Sequence, residues 1–160
     1  MFLIICAEME EAKHIKCDKA KFLITGVGFK NVINSPIIKI NKHDLVLNIG
    51  YAGSSKYKQG EVISVDNVKH YSKNFQQKEI KPISLLSDIC YTSDVFIQNA
   101  EKEIPLVDME LYYLRLIYPQ IQSLKIISDN LSYNEYKQAN FEKSWELVNK
   151  FLNKVSNYYG

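Results

Sequence analysis

Apolar residues along this chain fall into short runs separated by stripes of helical period. Runs at Phe2–Cys6, Lys21–Thr25, Asp44–Asn48, Glu61–Val65 and Leu124–Ile127, with a weaker one at Ile89–Tyr91, predict β-strands. Leu45-Val46-Leu47 and Ile126-Ile127 are continuous rather than alternating, as in strands covered on both faces. Helical patterns fall at Glu8–Lys16, at Asp108–Ile117 and near the C-terminus, where Phe141, Trp145, Val148, Leu152 and Val155 form one apolar stripe. Pro119 stops the second of these helices. Strands alternating with helices predict an α/β layer architecture. Glycines at Gly26-Val27-Gly28 and Gly50-Tyr51-Ala52-Gly53 mark expected strand ends. The polar stretch Lys69–Lys81 reads as a surface loop or a sheet edge.

Composition narrows the possibilities. A chain of 160 residues supports a single domain, 1–160, with one core. A net charge of +2 gives no electrostatic case for nucleic acid or an anionic membrane as partner. The three cysteines, Cys6, Cys17 and Cys90, are too few and too scattered for a disulfide framework or a zinc ribbon. Phe2–Cys6 is too short for a leader's apolar core and leads into three glutamates, so a cytoplasmic protein with no membrane span is expected. His14 and Cys17 could share a helix face, but no further ligands stand near them, so a structural role is expected and no metal or other cofactor is assigned. His70-Tyr71 could approach a pocket from a neighbouring strand.

Chemistry concentrates where apolar runs end. Ala7-Glu8-Met9-Glu10-Glu11 follows the first run, Val107-Asp108-Met109-Glu110 precedes Leu111-Tyr112-Tyr113, and Ser128-Asp129 closes Leu124–Ile127. The carboxyl ends of strands are where open α/β sheets collect ligands. Singly, each motif has an ordinary explanation. Glu10 and Glu11 suit an acidic first helical turn, Met109 suits a core, and Asp129 could cap the segment after it. Gly26-Val27-Gly28 lacks the third glycine of a dinucleotide fingerprint.

Together, and in this order, the segments resemble the nucleoside phosphorylase and nucleosidase superfamily, closest to its methylthioadenosine/S-adenosylhomocysteine nucleosidase branch. The resemblance runs from Ile4 to about Leu131. It includes Gly26-Val27-Gly28-Phe29, Asn48-Ile49-Gly50-Tyr51-Ala52-Gly53, Gly60-Glu61-Val62-Ile63 and Thr92-Ser93-Asp94-Val95-Phe96-Ile97. It implies a three-layer α/β/α mixed sheet flanked by helices, in a minimal version, and hydrolysis of adenosine-type nucleosides in nucleoside catabolism and methionine salvage. By that resemblance Asp129 would protonate the purine N7, Ser128 would orient Asp129, and Glu11 would polarise the attacking water. Glu110 would bind the ribose hydroxyls, Met109 would pack beneath the sugar, Phe96 would stack on the base and the Ile97 main chain would read its edge. Gly53 and Tyr51 would border the sugar.

The pattern also departs from the family. Segments are missing after the first helix, between His70 and Thr92, between Ile97 and Met109, and before Ser128. These bear on the dimer contact and on the wall around the 5′ group. Tyr51 stands in place of a small residue and could crowd the water site, Ser93 in place of a glycine, and Asp108 in place of a glutamate. Arg115 is the only arginine and falls about two turns beyond Met109, poorly placed to bind phosphate. Water is therefore preferred to phosphate as nucleophile. The alternatives are a purine nucleoside phosphorylase or a catalytically idle nucleoside-binding homologue. Abundant tyrosines, Tyr112, Tyr113, Tyr158 and Tyr159 among them, and the family likeness lead to an expected homodimer whose partner covers amphipathic surface.

Overall fold

The computed structural model describes residues 1–71, 78–132, 134–135 and 140–159. Strand β1 (Phe2–Cys6) lies between β2 (Lys21–Ile24) and β3 (Leu45–Gly53), parallel to both. Its side chains alternate between two cores. Phe2, Ile4 and Cys6 enter one and Leu3 and Ile5 the other, with none more than 2% exposed. That is why the run is apolar throughout instead of alternating with polar residues.

The sheet continues from β3 to β8 (Gln122–Asp129), parallel to it, and then to β4 (Val62–His70), antiparallel to β8. Strand β6 (Ser87–Thr92) pairs parallel with β4, and β7 (Leu106–Asp108) parallel with β6. Val107 of β7 then pairs back to Gly53 of β3. The sequence β3–β8–β4–β6–β7 therefore closes on itself and rolls half of the mixed sheet into a small barrel. The two-residue β5 (Lys78–Glu79) pairs with β4 and gives the polar stretch its edge character. Residues 72–77 of that stretch lie outside the described residues.

Helices cover both faces. Helix α2 (Phe29–Asn34) contributes Val32, and α3 (Leu111–Ile117) contributes Leu111, Tyr112, Tyr113 and Leu114, to the core that holds Leu3 and Ile5. Helix α4 (Glu142–Tyr159) lays Trp145, Val148 and Leu152 on the other face. Burial of each such side chain is worth about 1.5–3 kcal/mol, so the apolar stripe rather than helix propensity fixes this helix. The result is the expected three-layer α/β/α arrangement with a mixed sheet.

Some expectations need correction. The stripe from Glu8 to Lys16 forms only a single turn, α1 (Met9–Ala12). His14 and Ile15 donate to carbonyls three residues back, at 3.2 and 3.0 Å, which tightens the helix end, and the chain then carries Ile15 and Cys17 into the core. The segment Asp108–Ile117 begins as strand, not helix, because Val107 and Asp108 pair with Tyr91 and Thr92. Tyr112 and Tyr113 are buried, not surface residues awaiting a partner. Tyr158 is exposed, and the Tyr159 side chain lies outside the described residues.

Candidate active site

A cavity of about 320 Å³ opens where the carboxyl ends of β1, β3, β6, β7 and β8 converge. Glu11, Tyr51, Gly53, Phe96 and Ile97 line it, as do Met109, Glu110, Ser128 and Asp129. The nine residues to which the resemblance gives a place in the site thus border one space. Arg115 is elsewhere, its Nε donating to the Glu79 carbonyl at 3.0 Å. His14 stacks on Trp145, ring centroids 5.2 Å apart, while Cys17 is in the core, so the two form no common ligand pair. Among the described residues, no three His, Cys, Asp or Glu side chains group as metal ligands.

Glu11 is held by the fold rather than by chance. Glu8 caps α1, and the Glu11 carboxylate reaches back to accept the Ala7 and Glu8 N–H groups on Oε2, at 2.9 and 3.0 Å. Its Oε1 accepts the Tyr51 N–H at 3.1 Å. Burial pushes its pKa up against the pull of these donors. Gly50 makes the approach possible: a Cβ there would stand 2.7 Å from Glu11 Oε1. The glycines of Gly50–Gly53 accordingly serve close packing inside a strand, since β3 runs through all four residues. Gly53 plays the same part toward the acid opposite, with Asp129 Oδ1 3.1 Å from where its Cβ would be.

The Tyr51 ring leaves the cavity open. Its hydroxyl accepts the Trp145 indole N–H at 3.0 Å and its ring lies 5.0 Å from that of Phe141, on the α4 side of the sheet. Position 51 shares its face of β3 with Leu45, Leu47 and Ile49, whose side chains enter the α4 core. The larger residue is accommodated there, so crowding of the water site is not what it does.

Asp129 ends β8, only 1% exposed. Its Oδ2 accepts the Ser128 hydroxyl at 2.6 Å and its Oδ1 the Leu131 N–H at 2.9 Å. Burial raises its pKa in spite of both donors. Leu131 sits at φ 65°, a costly conformation for a branched residue. The Asn130 side chain pins this turn by donating to the Ser54 and Tyr57 carbonyls at 2.8 Å each.

Glu110 caps α3, and its Oε2 accepts the Gly28 N–H at 3.4 Å. Gly28 has φ 85°, a conformation that glycine adopts without strain. Burial, then the negative charge of Asp108, push Glu110 up to about 8, while Lys125 opposes them.

Lys125 is the residue sequence reasoning passed over. It lies in the middle of β8, 2% exposed, with Nζ 2.8 Å from Asp108 Oδ2. Burial works against its charge, but Asp108 and the nearby Cys90 and Glu110 more than offset this and hold it protonated. Asp108 also accepts the Thr92 hydroxyl at 2.6 Å and the Leu111 N–H at 2.9 Å. The available signal was a lone lysine inside Leu124-Lys125-Ile126-Ile127, a run otherwise fit for burial on both faces. A charge in such a run needs a buried partner.

Three layers, a mixed sheet partly closed into a barrel and a cavity at its strand ends give an α/β/α fold that solved nucleosidases share. By sequence, the chain matches no protein-family model and no curated protein. By structure it is similar to the MTAN nucleosidase of Chlamydia trachomatis, with a TM-score of 0.79 at 16% identity over 99% of this chain and 98% of that one. The same Chlamydia protein has been solved with adenine bound. The 5′-methylthioadenosine/S-adenosylhomocysteine nucleosidase of Helicobacter pylori gives 0.78 at 15% identity, over 98% of this chain and 97% of that one. A futalosine hydrolase mutant from Helicobacter pylori also gives 0.78 at 15%, over 98% of each chain. At these identities the likeness establishes the fold.

Proposed function

We propose that this chain is a purine nucleosidase, hydrolysing the N-glycosidic bond of adenosine-type nucleosides such as methylthioadenosine. One observation carries the reading: Glu11, Glu110 and Asp129, three acids from distant parts of the sequence, border a single cavity beside Phe96. The fold shared with methylthioadenosine nucleosidases supports it.

Scission of a glycosidic bond develops positive charge on the sugar and negative charge on the leaving base. Asp129, raised above its ordinary value by burial, is the acid that delivers a proton to N7 of the base. Ser128 fixes the orientation of that carboxyl. Glu110, with Met109 beside it, takes the ribose hydroxyls. Phe96 offers its ring to the base and the Ile97 main chain meets the base edge. Glu11, anchored by three backbone donors, polarises water on the other side of the sugar. The charge of Glu11 stabilises the cationic sugar. Arg115 points away from the cavity, which favours water over phosphate as nucleophile. A homodimer belongs to this reading, supported by Phe29, Ile33 and Ile37, which stay exposed around α2. Sedimentation showing only monomer at micromolar concentration would remove it.

The test is incubation with methylthioadenosine, adenosylhomocysteine, adenosine and inosine, with and without phosphate, followed by detection of free base. Release of adenine independent of phosphate is the expected result. Binding without release identifies an idle homologue, and release that requires phosphate identifies a phosphorylase.

A further inference from the structure

Behind the wall that carries Phe96 and Ile97 lies a polar cluster that the chemistry above leaves unused. His70 ends β4, Tyr113 lies in the first turn of α3, and Asp94 is the second residue of the segment 93–97 that follows β6. His70 is 8% exposed and its Nε2 lies 2.7 Å from the Tyr113 hydroxyl and 3.2 Å from Asp94 Oδ1. The Tyr113 hydroxyl donates to the same carboxylate oxygen of Asp94. With the phenol donating to Asp94, the hydrogen on His70 is assigned to Nε2 and shared between the other two groups. Tyr113 and His70 both hold Asp94 below the usual carboxylate range.

The cluster joins the two sides of the cavity. Tyr113 belongs to the helix capped by Glu110, whose backbone carbonyl accepts the Tyr113 N–H at 3.0 Å. Asp94 stands immediately before Val95-Phe96-Ile97, all of which line the cavity. Ser93 is tied to β7 by its N–H to the Asp108 carbonyl at 2.8 Å, and Val95 donates its N–H to the Ser93 hydroxyl at 3.2 Å. Asp94 links the segment to the helix through the Tyr113 hydroxyl. The rear of the cluster is packed, with the Tyr112 and His70 rings 5.7 Å apart and Phe29 against Tyr113 at 4.6 Å. It is therefore a rigid anchor on a segment whose Asp94, Val95 and Phe96 are exposed.

We propose that His70 and Tyr113 are positioning residues that lock segment 93–97 through Asp94. The distance between the base-facing wall and the sugar-facing Glu110 is thereby set from behind the cavity. The role of this anchor in base recognition rests on the nucleosidase reading, whereas its role in ordering the segment does not.

The test compares wild type with Tyr113→Phe, His70→Gln and Asp94→Asn. Amide hydrogen exchange of residues 93–97 should accelerate roughly tenfold or more in Tyr113→Phe, as expected when a hydrogen bond to a charged group is lost. Exchange in β1 and β3 should stay unchanged. In turnover, KM for methylthioadenosine and the dissociation constant of adenine should rise by a similar factor while kcat stays within about twofold, the signature of lost ground-state binding. Asp94→Asn keeps an acceptor for Tyr113 and should fall between wild type and Tyr113→Phe. Unchanged exchange in segment 93–97 overturns the proposal, as does a fall in kcat with KM and adenine binding intact. Should Tyr113→Phe fail to fold, Asp94→Ala, on the partly exposed segment, supplies the same comparison. A wild type that releases no base refutes the proposed function alone, and the exchange data still decide the anchor.

Discussion

Replacing Lys125 by methionine tests the charge arrangement of the site most directly. The substitution keeps the length and apolar stem of the side chain and removes only the ammonium. Asp108, itself 1% exposed at its side chain, then keeps the Thr92 hydroxyl and the Leu111 N–H but loses its counter-ion at 2.8 Å. Removing one member of a buried ion pair costs about 3–5 kcal/mol, against a total stability of about 5–15 kcal/mol for a domain. For a chain of this size the loss corresponds to a fall in Tm of about 6–20 °C. Much of the cost is the stranded charge of Asp108. The double variant Lys125→Met with Asp108→Asn should recover part of the loss, since the neutral amide removes the stranded charge while its one oxygen replaces only one of the two that accept from Thr92 and Leu111. Urea denaturation at pH 8 measures both variants. Lys56→Met serves as control, because the Lys56–Asp88 pair is substantially exposed at the lysine and should contribute about 0–1 kcal/mol. A loss below about 1 kcal/mol in Lys125→Met at pH 8, or a double variant less stable than the single, refutes the argument.

Three more outcomes follow from the cavity. Asp129→Asn keeps the shape but cannot give up a proton as the acid does. Adenine release should fall by about 10²–10⁴-fold with little change in Tm, and unchanged turnover would remove the mechanism. Gly50→Ala places a Cβ 2.7 Å from Glu11 Oε1 and must move the carboxylate. A drop of about 10²-fold in kcat with adenine binding preserved is expected, and normal kcat would mean that Glu11 has no part in the chemistry. Glu110 titrates at about 8 in the folded protein, above its ordinary value of 4.5. Between those values the folded state holds the extra proton, so this group lowers stability as pH rises, by up to about 1.4 kcal/mol per unit. Glu110→Gln should flatten that slope in pH-dependent denaturation.

Much of the site was legible because its acids mark the ends of apolar runs, and an apolar run is what a doubly covered strand must be. Glu11 and Asp129 could be placed near one another once the runs were read as strands of one sheet, and the family resemblance brought Glu110 to them. The supports were harder to see. Gly50 looked like a turn because glycine signals backbone freedom locally, while its reason here is a carboxylate from another segment. Tyr51 looked like an obstruction because the sequence does not say which face of β3 it takes. Strand β7 was hidden by its length of three residues, too short to show any period. The helix expected after Ala7 shrank to one turn because Ile15 and Cys17 gain more in the core than further helix would supply.

Lys125 illustrates why such supports escape a linear reading and why they matter. Its strand is defined as buried by the leucine and isoleucines beside it, and burial is also what raises the pKa of Glu11, Glu110 and Asp129. Acids gathered where water is excluded raise one another, and Asp108 adds to the effect of burial on Glu110. The lysine pairs with Asp108 directly and opposes the rise in Glu110 from a distance. Its buried ammonium therefore offsets part of the negative charge gathered at this end of the sheet, a balance that the proposed nucleosidase chemistry asks of any site built from three acids.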